Sequence, residues 1–157
     1  MDGLFSDQPV IEPVSEAELP ARETSVSVPV PPEQAFKAFT DLIHLWWPLA
    51  EYSAFGAESH LGFEQQSLLE ESAAGERYLW GTVLEWQPSA SVLLDFFLGG
   101  DPARPTRLRA DFEPDDGGSR VRLVQDGWAA GQAGASQYEK YSDWPFILGR
   151  YVRFMGG

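Results

Sequence analysis

Two runs in the C-terminal half constrain the fold most. In the first, Thr106, Leu108, Ala110 and Phe112 are opposed to Arg107, Arg109 and Asp111; in the second, Val121 and Leu123 are opposed to Arg120 and Arg122. A period of two marks a half-buried strand. The segment Pro114 to Gly118, with its Asp-Asp-Gly-Gly, is a turn that brings the second run back beside the first. An antiparallel sheet with one apolar face follows. Further runs of the same kind precede this pair. Leu61 to Leu69 has Leu61, Phe63 and Leu69 on one face, Glu76 to Trp86 is apolar on both, and Val92, Leu94 and Phe96 alternate with Leu93, Asp95 and Phe97. Turn residues over 71–75, 87–90 and 99–105 separate them, and connections this short join antiparallel neighbours.

Such a sheet needs a cover for its apolar face. From Thr24 to Val30, Val26, Val28 and Val30 alternate with Ser25, Ser27 and Pro29, which reads as a strand, with Pro29 favouring an edge position. Pro31 and Pro32 open a helix whose buried stripe is Ala35, Phe36 and Phe39. Thr40 or Asp41 is placed to cap a second short helix through Leu42 to Trp46, which Pro48 ends. Beyond Gly127 and Trp128, the stretch AAGQAGAS reads as a loop. A helix is expected from about Gln137 to Met155, with Tyr141, Trp144, Leu148, Tyr151 and Met155 forming an aromatic-rich stripe. Pro145 either bends that helix or starts a new one. The expected class is α+β, in the order β-α-α-β-β-β-β-β-α. In it a curved antiparallel sheet of about six strands wraps on the C-terminal helix, the element long enough to cover it.

Composition limits what such a domain does. The 157 residues carry 24 acidic and 11 basic side chains, a formal charge of −13, which opposes phosphate backbones and anionic lipid surfaces. There is no cysteine, so disulfides, thiolate nucleophiles and sulfur ligands for zinc are excluded. Residues 1–20 hold Asp2, Asp7, Glu12, Glu16 and Glu18 and no basic residue, and read as a flexible acidic arm; residues 21–157, with the remaining −8, form the domain. No run resembles a secretory leader or a membrane span, so the cytoplasm is the expected compartment and membrane insertion is not expected. Aromatics make up 13% of the chain and include six tryptophans, more ring volume than a core of this size needs.

A set of short motifs in consistent order resembles a known superfamily. These are the Val-x-Val-Pro-x-x-Pro-Glu-x-Ala-Phe opening from Val26 to Phe36, Trp46-Trp47-Pro48, Gly81-Thr82-Val83-Leu84-Glu85 leading to Pro88, Leu93-Leu94-Asp95-Phe96, Gly127-Trp128 and Trp144-Pro145-x-x-Leu148-x-x-Tyr151. Together they resemble the START-like, helix-grip SRPBCC superfamily, in the branch similar to the C-terminal domain of activators of the heat-shock-protein-90 ATPase. Asp95 stands where that pattern usually has a small hydroxyl residue, and the separate chaperone-binding domain of the co-chaperones is not expected within these 157 residues. The resemblance implies a cavity between sheet and C-terminal helix. Related members include polyketide cyclases and aromatases.

The expected function is therefore non-covalent binding of a small hydrophobic or aromatic molecule. The long strand contributes Tyr78 and Trp80, with Trp86 on the same face, and the last strand and covering helix contribute Trp128, Tyr141, Trp144 and Leu148. Phe63, Leu94, Phe96, Leu108 and Leu123 supply apolar wall from the sheet, Trp46 closes the helical side, and Gln65 and Gln125 are placed to orient a ligand. Catalysis has little support. His44 and His60 lack a spaced carboxylate or second ligand, no Gly-x-Ser-x-Gly occurs, and no metal-ligand spacing exists, so no metal or cofactor is expected. Glu85 and Asp95, carboxylates within apolar strands, are weak catalytic candidates for an alternative, a cyclase- or aromatase-type enzyme using a pocket carboxylate or tyrosine. A further alternative is a chaperone-linked or other protein-interaction module, docking through the acidic arm or through Trp46 and Trp47 if these are exposed.

Overall fold

Seven strands form one antiparallel sheet in the order β1-β7-β6-β5-β4-β3-β2. The strands are β1 (Arg22–Val28), β2 (His60–Glu64), β3 (Ser67–Glu71), β4 (Arg77–Gln87), β5 (Ser91–Phe96), β6 (Thr106–Asp115) and β7 (Gly118–Asp126). Among the described residues they are accompanied by the helices α1 (Pro32–Thr40), α2 (Ile43–Trp46), α3 (Gly131–Lys140) and α4 (Trp144–Phe154). This is a computed structural model that describes residues 19–98 and 100–157. The acidic arm expected over residues 1–20 lies, as far as residue 18, outside the described residues. The α+β helix-grip class stands, with the bent helical segment α3–α4 and the α1–α2 pair on the concave face of the sheet.

The β6–β7 alternation holds residue by residue: Thr106, Leu108, Ala110, Phe112, Val121 and Leu123 are all buried. Asp116 and Gly117 close that hairpin with positive φ. As Pro29 suggests, β1 is an edge strand, paired among the described residues with β7 alone. Pro32 opens α1, whose stripe of Ala35, Phe36 and Phe39 is buried.

Three expectations are corrected. The run from Leu61 to Leu69 is not one strand but a hairpin, β2 and β3, turning at Gln65, which has a φ of 56°. The reversal shifts the phase, so Leu68 rather than Leu69 is buried. Gln65 consequently lies in a turn and not on an apolar strand face. The covering helix begins earlier, at Gly131, and stops at Lys140; Asp143 then precedes a new helix with Pro145 in its first turn, where a missing N–H costs nothing. No side-chain cap starts α2; the Thr40 hydroxyl donates back to the Phe36 carbonyl at 2.8 Å.

Rings fill the space between sheet and helices. Trp46 and Trp47 are 1% and 6% exposed, so they are core residues and not a surface anchor. Trp46 packs on Phe39 and Tyr151, Trp47 packs on Trp80 and Trp144, and the Tyr151 hydroxyl ties α4 to α1 by donating to the Ala35 carbonyl at 2.7 Å. Buried edge-to-face pairs of this kind add about 0.5–1.5 kcal/mol each beyond the area they bury.

At Gly81, which pairs with Phe96 across the β4–β5 ladder, a Cβ would stand 2.3 Å from the carbonyl oxygen of Asp95. Gly149, inside α4, faces open space. Gly81→Ala should therefore lower stability by about 2 kcal/mol or more, whereas Gly149→Ala should raise it by roughly 0.5–1 kcal/mol. Urea unfolding of the two variants checks the contrast.

Candidate functional site

The segment after α2 is organised by one buried carboxylate. Glu70, on the concave side of β3, is fully buried and accepts four hydrogen bonds. Ala54 N and Trp80 Nε1 donate to Oε1 at 2.8 and 2.9 Å, and Phe55 N and Ser59 Oγ donate to Oε2 at 2.9 and 2.6 Å. Burial is the largest single influence on its pKa and pushes it up, but the four donors together outweigh it and the pKa is lowered. Glu70 thus fixes both the loop over residues 53–59 and the Trp80 indole. Trp47, packed edge-to-face on Trp80, donates its Nε1–H to the Tyr52 carbonyl at 2.8 Å, which sets the course of the chain between them.

This loop faces the break between α3 and α4. The Tyr52 hydroxyl donates a hydrogen bond to Asp143 Oδ2, and that bond raises the tyrosine's pKa. Behind it lies a hollow of about 40 Å³ lined by Trp47, Tyr52, Phe96, Leu98, Lys140, Tyr141, Asp143, Trp144 and Ile147. Its wall is almost wholly apolar. Trp144 is held in the wall by a relay: its Nε1 donates to Gln125 Oε1 at 2.8 Å, Gln125 Nε2 donates to Thr106 Oγ1 at 2.9 Å, and the Thr106 hydroxyl donates to the Phe96 carbonyl at 2.8 Å. Burial keeps the Tyr141 phenol protonated well above its ordinary range, and its hydroxyl donates to the Leu98 carbonyl at 3.1 Å.

Of the residues singled out in the sequence, Phe96, Tyr141 and Trp144 meet at this hollow. Leu94, Leu108, Leu123, Leu148, Trp46 and Trp80 lie in the adjoining core, and both polar ends of Gln125 are occupied by Trp144 and Thr106. Tyr78 is half-buried near Phe55. Trp128 is elsewhere, with its ring on Tyr138 and its Nε1 donating to the Pro20 carbonyl at 3.1 Å. Phe63 packs on Trp86, and with Gln65 they border a separate groove beside the β2–β3 turn. Glu85 and Asp95 stand at the outer face of the sheet, facing Arg109 at 3.7 Å and Arg107 at 3.0 Å. His44 and His60, remote in sequence, stack at 4.6 Å. Among the described residues no group of three or more His, Asp or Glu is placed to hold a metal ion.

Sequence reasoning missed Trp47, Tyr52, Leu98, Lys140, Asp143 and Ile147 as lining. Asp143 carried a usable signal, since an Asp immediately before Trp-Pro marks a helix start. Tyr52 carried none.

The class defined here is a helix-grip domain with a small apolar hollow where its covering helix breaks. The family model described as Activator of Hsp90 ATPase homolog 1-like protein matches residues 29–144, and the chain belongs to that family. No curated protein sequence matches the chain. Among solved structures it is similar to an anthrahydroquino-gamma-pyrone synthase, Txn09, complexed with SUM, at 26% identity and a TM-score of 0.61 over 87% of this chain and 97% of that one. Protein NE0264 from Nitrosomonas europaea shares the fold at 11% identity and a TM-score of 0.60, with 87% and 94% of the two chains covered. So does the Aha1 dimer from Colwellia psychrerythraea, at 14% identity and a TM-score of 0.54 over 85% and 94%. No helix among the described residues is long and apolar enough to cross a membrane.

Glu70 gives the site a testable pH signature. A carboxyl with its folded pKa below its unfolded value stabilises the fold fully above the unfolded pKa, and that contribution is lost as pH falls through the folded pKa. Glu70→Gln should cost about 2 kcal/mol at neutral pH by leaving buried donors poorly paired. The gap between wild type and variant should close as the pH is lowered through the Glu70 titration, measured by denaturant unfolding across the acid range.

Proposed function

We propose that the protein binds a small apolar or aromatic molecule without covalent chemistry, at the hollow behind the Tyr52–Asp143 bond. The observation that carries this reading is the hollow itself, with Trp47, Phe96, Tyr141 and Trp144 around it at the point where the covering helix is interrupted. Rings of this kind give wide contact at low entropic cost. A cavity of roughly 150 Å³ is what admits benzene, so the resting space is too small for a ring. Entry requires the α3–α4 break to move away from the loop, and the Tyr52–Asp143 bond is the latch on that movement. The gross volume of the core is already taken by side chains, which directs the ligand to this break and not to the middle of the sheet.

A second reading, a cyclase-type enzyme, is favoured by the 26% identity to a protein described as a synthase. In that case Tyr141, kept neutral, would donate a hydrogen bond to charge developing on the substrate, and Asp143 is the carboxylate at the same site. The protein-interaction reading loses one of its two proposed anchors with the burial of Trp46 and Trp47. The acidic arm as an appendage to the domain over residues 21–157, and the cytoplasm as its compartment, remain part of the proposal.

Native mass spectrometry of gently purified protein should show a bound small molecule, or adducts with members of a lipid and polyphenol panel. A clean apo mass with no response to the panel contradicts the reading. Removing the latch by Tyr52→Phe should speed ligand association several-fold and cost about 1.5–3 kcal/mol of stability, the usual worth of a hydrogen bond to a charged group. Stopped-flow tryptophan fluorescence and urea unfolding measure the two effects.

A further inference from the structure

Lys140 faces no carboxylate among the described residues, as is also true of Arg22 and Arg150, which donate to the Tyr138 and Trp46 carbonyls. Arg77, Arg107, Arg109 and Arg122 each face a carboxylate on an exposed surface, with Glu64, Asp95, Asp111 and Glu23 as partners. Lys140 ends α3, and although much of its side chain is exposed, Nζ turns inward to donate to the Leu98 carbonyl. Desolvation lowers its pKa. Among the described residues no carboxylate lies within ion-pair distance of Nζ, in a chain with 24 acidic residues. The partly desolvated ammonium is answered by the Leu98 carbonyl and the Tyr141 ring, whose centroid lies 5.3 Å from Nζ, and by no formal negative charge among the described residues.

Its position gives that charge a use. Lys140 and Tyr141 line the aromatic hollow on one side and, on the other, a groove of about 230 Å³ between α3 and the loop after β5. The groove brings in a second cation, Arg104, along with one carboxylate, Asp101. Asp101 is occupied in its own turn, where Oδ1 accepts from Ala103 N at 2.9 Å. Gln137 fixes the loop to the helix by donating to the Arg104 carbonyl at 2.8 Å while accepting from Ala129 N at 2.8 Å. Lys140 and Tyr141, on a fixed frame, therefore form the partition between an apolar slot and a groove with two cations.

We propose that the ligand of this grip is a planar aromatic acid, its ring seated against Trp47 and Trp144 and its anionic group held by Lys140 with Arg104 behind it. This deepens the binding function proposed above and rests on it. The anion replaces the Leu98 carbonyl as the partner of Nζ, and the ring replaces the latch contacts at the α3–α4 break. A neutral aromatic of the same shape gains the second part of this and not the first. In a protein of this net charge, selection for an acid requires such a local reversal of sign.

The test compares 2-naphthoate with 2-naphthamide, matched in ring and size, by tryptophan fluorescence titration. The wild type should bind the acid roughly tenfold more tightly than the amide, with the preference weakening as salt is raised. Lys140→Met should erase the preference, so that acid and amide bind alike, and Lys140→Arg should restore most of it. Equal affinity of wild type for acid and amide would overturn the anion site while leaving the apolar grip standing. Failure of both ligands to bind would overturn the grip as well. The wild-type comparison and its salt dependence decide the matter even if Lys140→Met does not fold.

Discussion

The buried Glu70 carboxylate is the interaction on which the site depends. It is the point where β3, β4 and the loop over 53–59 meet, and each of its oxygens takes two donors. Without it, Trp80 would have a buried indole N–H with no acceptor, and the loop would have two backbone amides facing the sheet unpaired. The position of Trp47 follows from Trp80, and that of Tyr52 follows from Trp47. The latch to Asp143 is the last step in that sequence, so a charge in the sheet determines how the helical cover closes.

Gln125 does the corresponding work on the other wall. Its two ends are committed to Trp144 and Thr106, which makes it a strut between sheet and helix. The two polar side chains deepest in the grip are thus both spent on holding rings. What remains for a ligand is the small space those rings do not reach, and the groups still able to answer one are at its rim: Tyr52, Asp143, Tyr141 and Lys140.

Much of the sheet was legible because its strands obey local rules. Alternation in β5, β6 and β7 named the buried residues, and Asp116-Gly117 is a turn that reads as one. The β2–β3 turn did not read as one, because Gln65-Gln66 contains no Gly, Pro, Asn or Asp. Its positive φ at Gln65 is sustained by pairing, with Val83 N donating to the Gln66 carbonyl at 2.8 Å. The start of α3 was hidden for a related reason. Gly131 and Gly134 argue against a helix locally, yet a Cβ at Gly134 would stand 1.7 Å from the Ala129 carbonyl, so the close packing there requires glycine. The site was the least legible part. A glutamate on a strand reads as solvated, and nothing in the neighbourhood of Glu70 in sequence announces four donors arriving from residues 54, 55, 59 and 80.

The central claim is one of location: the hollow at the helix break is where a ligand sits. The indole N–H resonances report on it separately, since Trp47 and Trp144 border the hollow while Trp86 and Trp128 lie away from it. In a ¹H–¹⁵N titration with 2-naphthoate, the Trp47 and Trp144 indole signals should shift together and saturate, with Trp86 and Trp128 unmoved. Saturating shifts confined to Trp86 or Trp128, or no shift at any indole, would contradict the account.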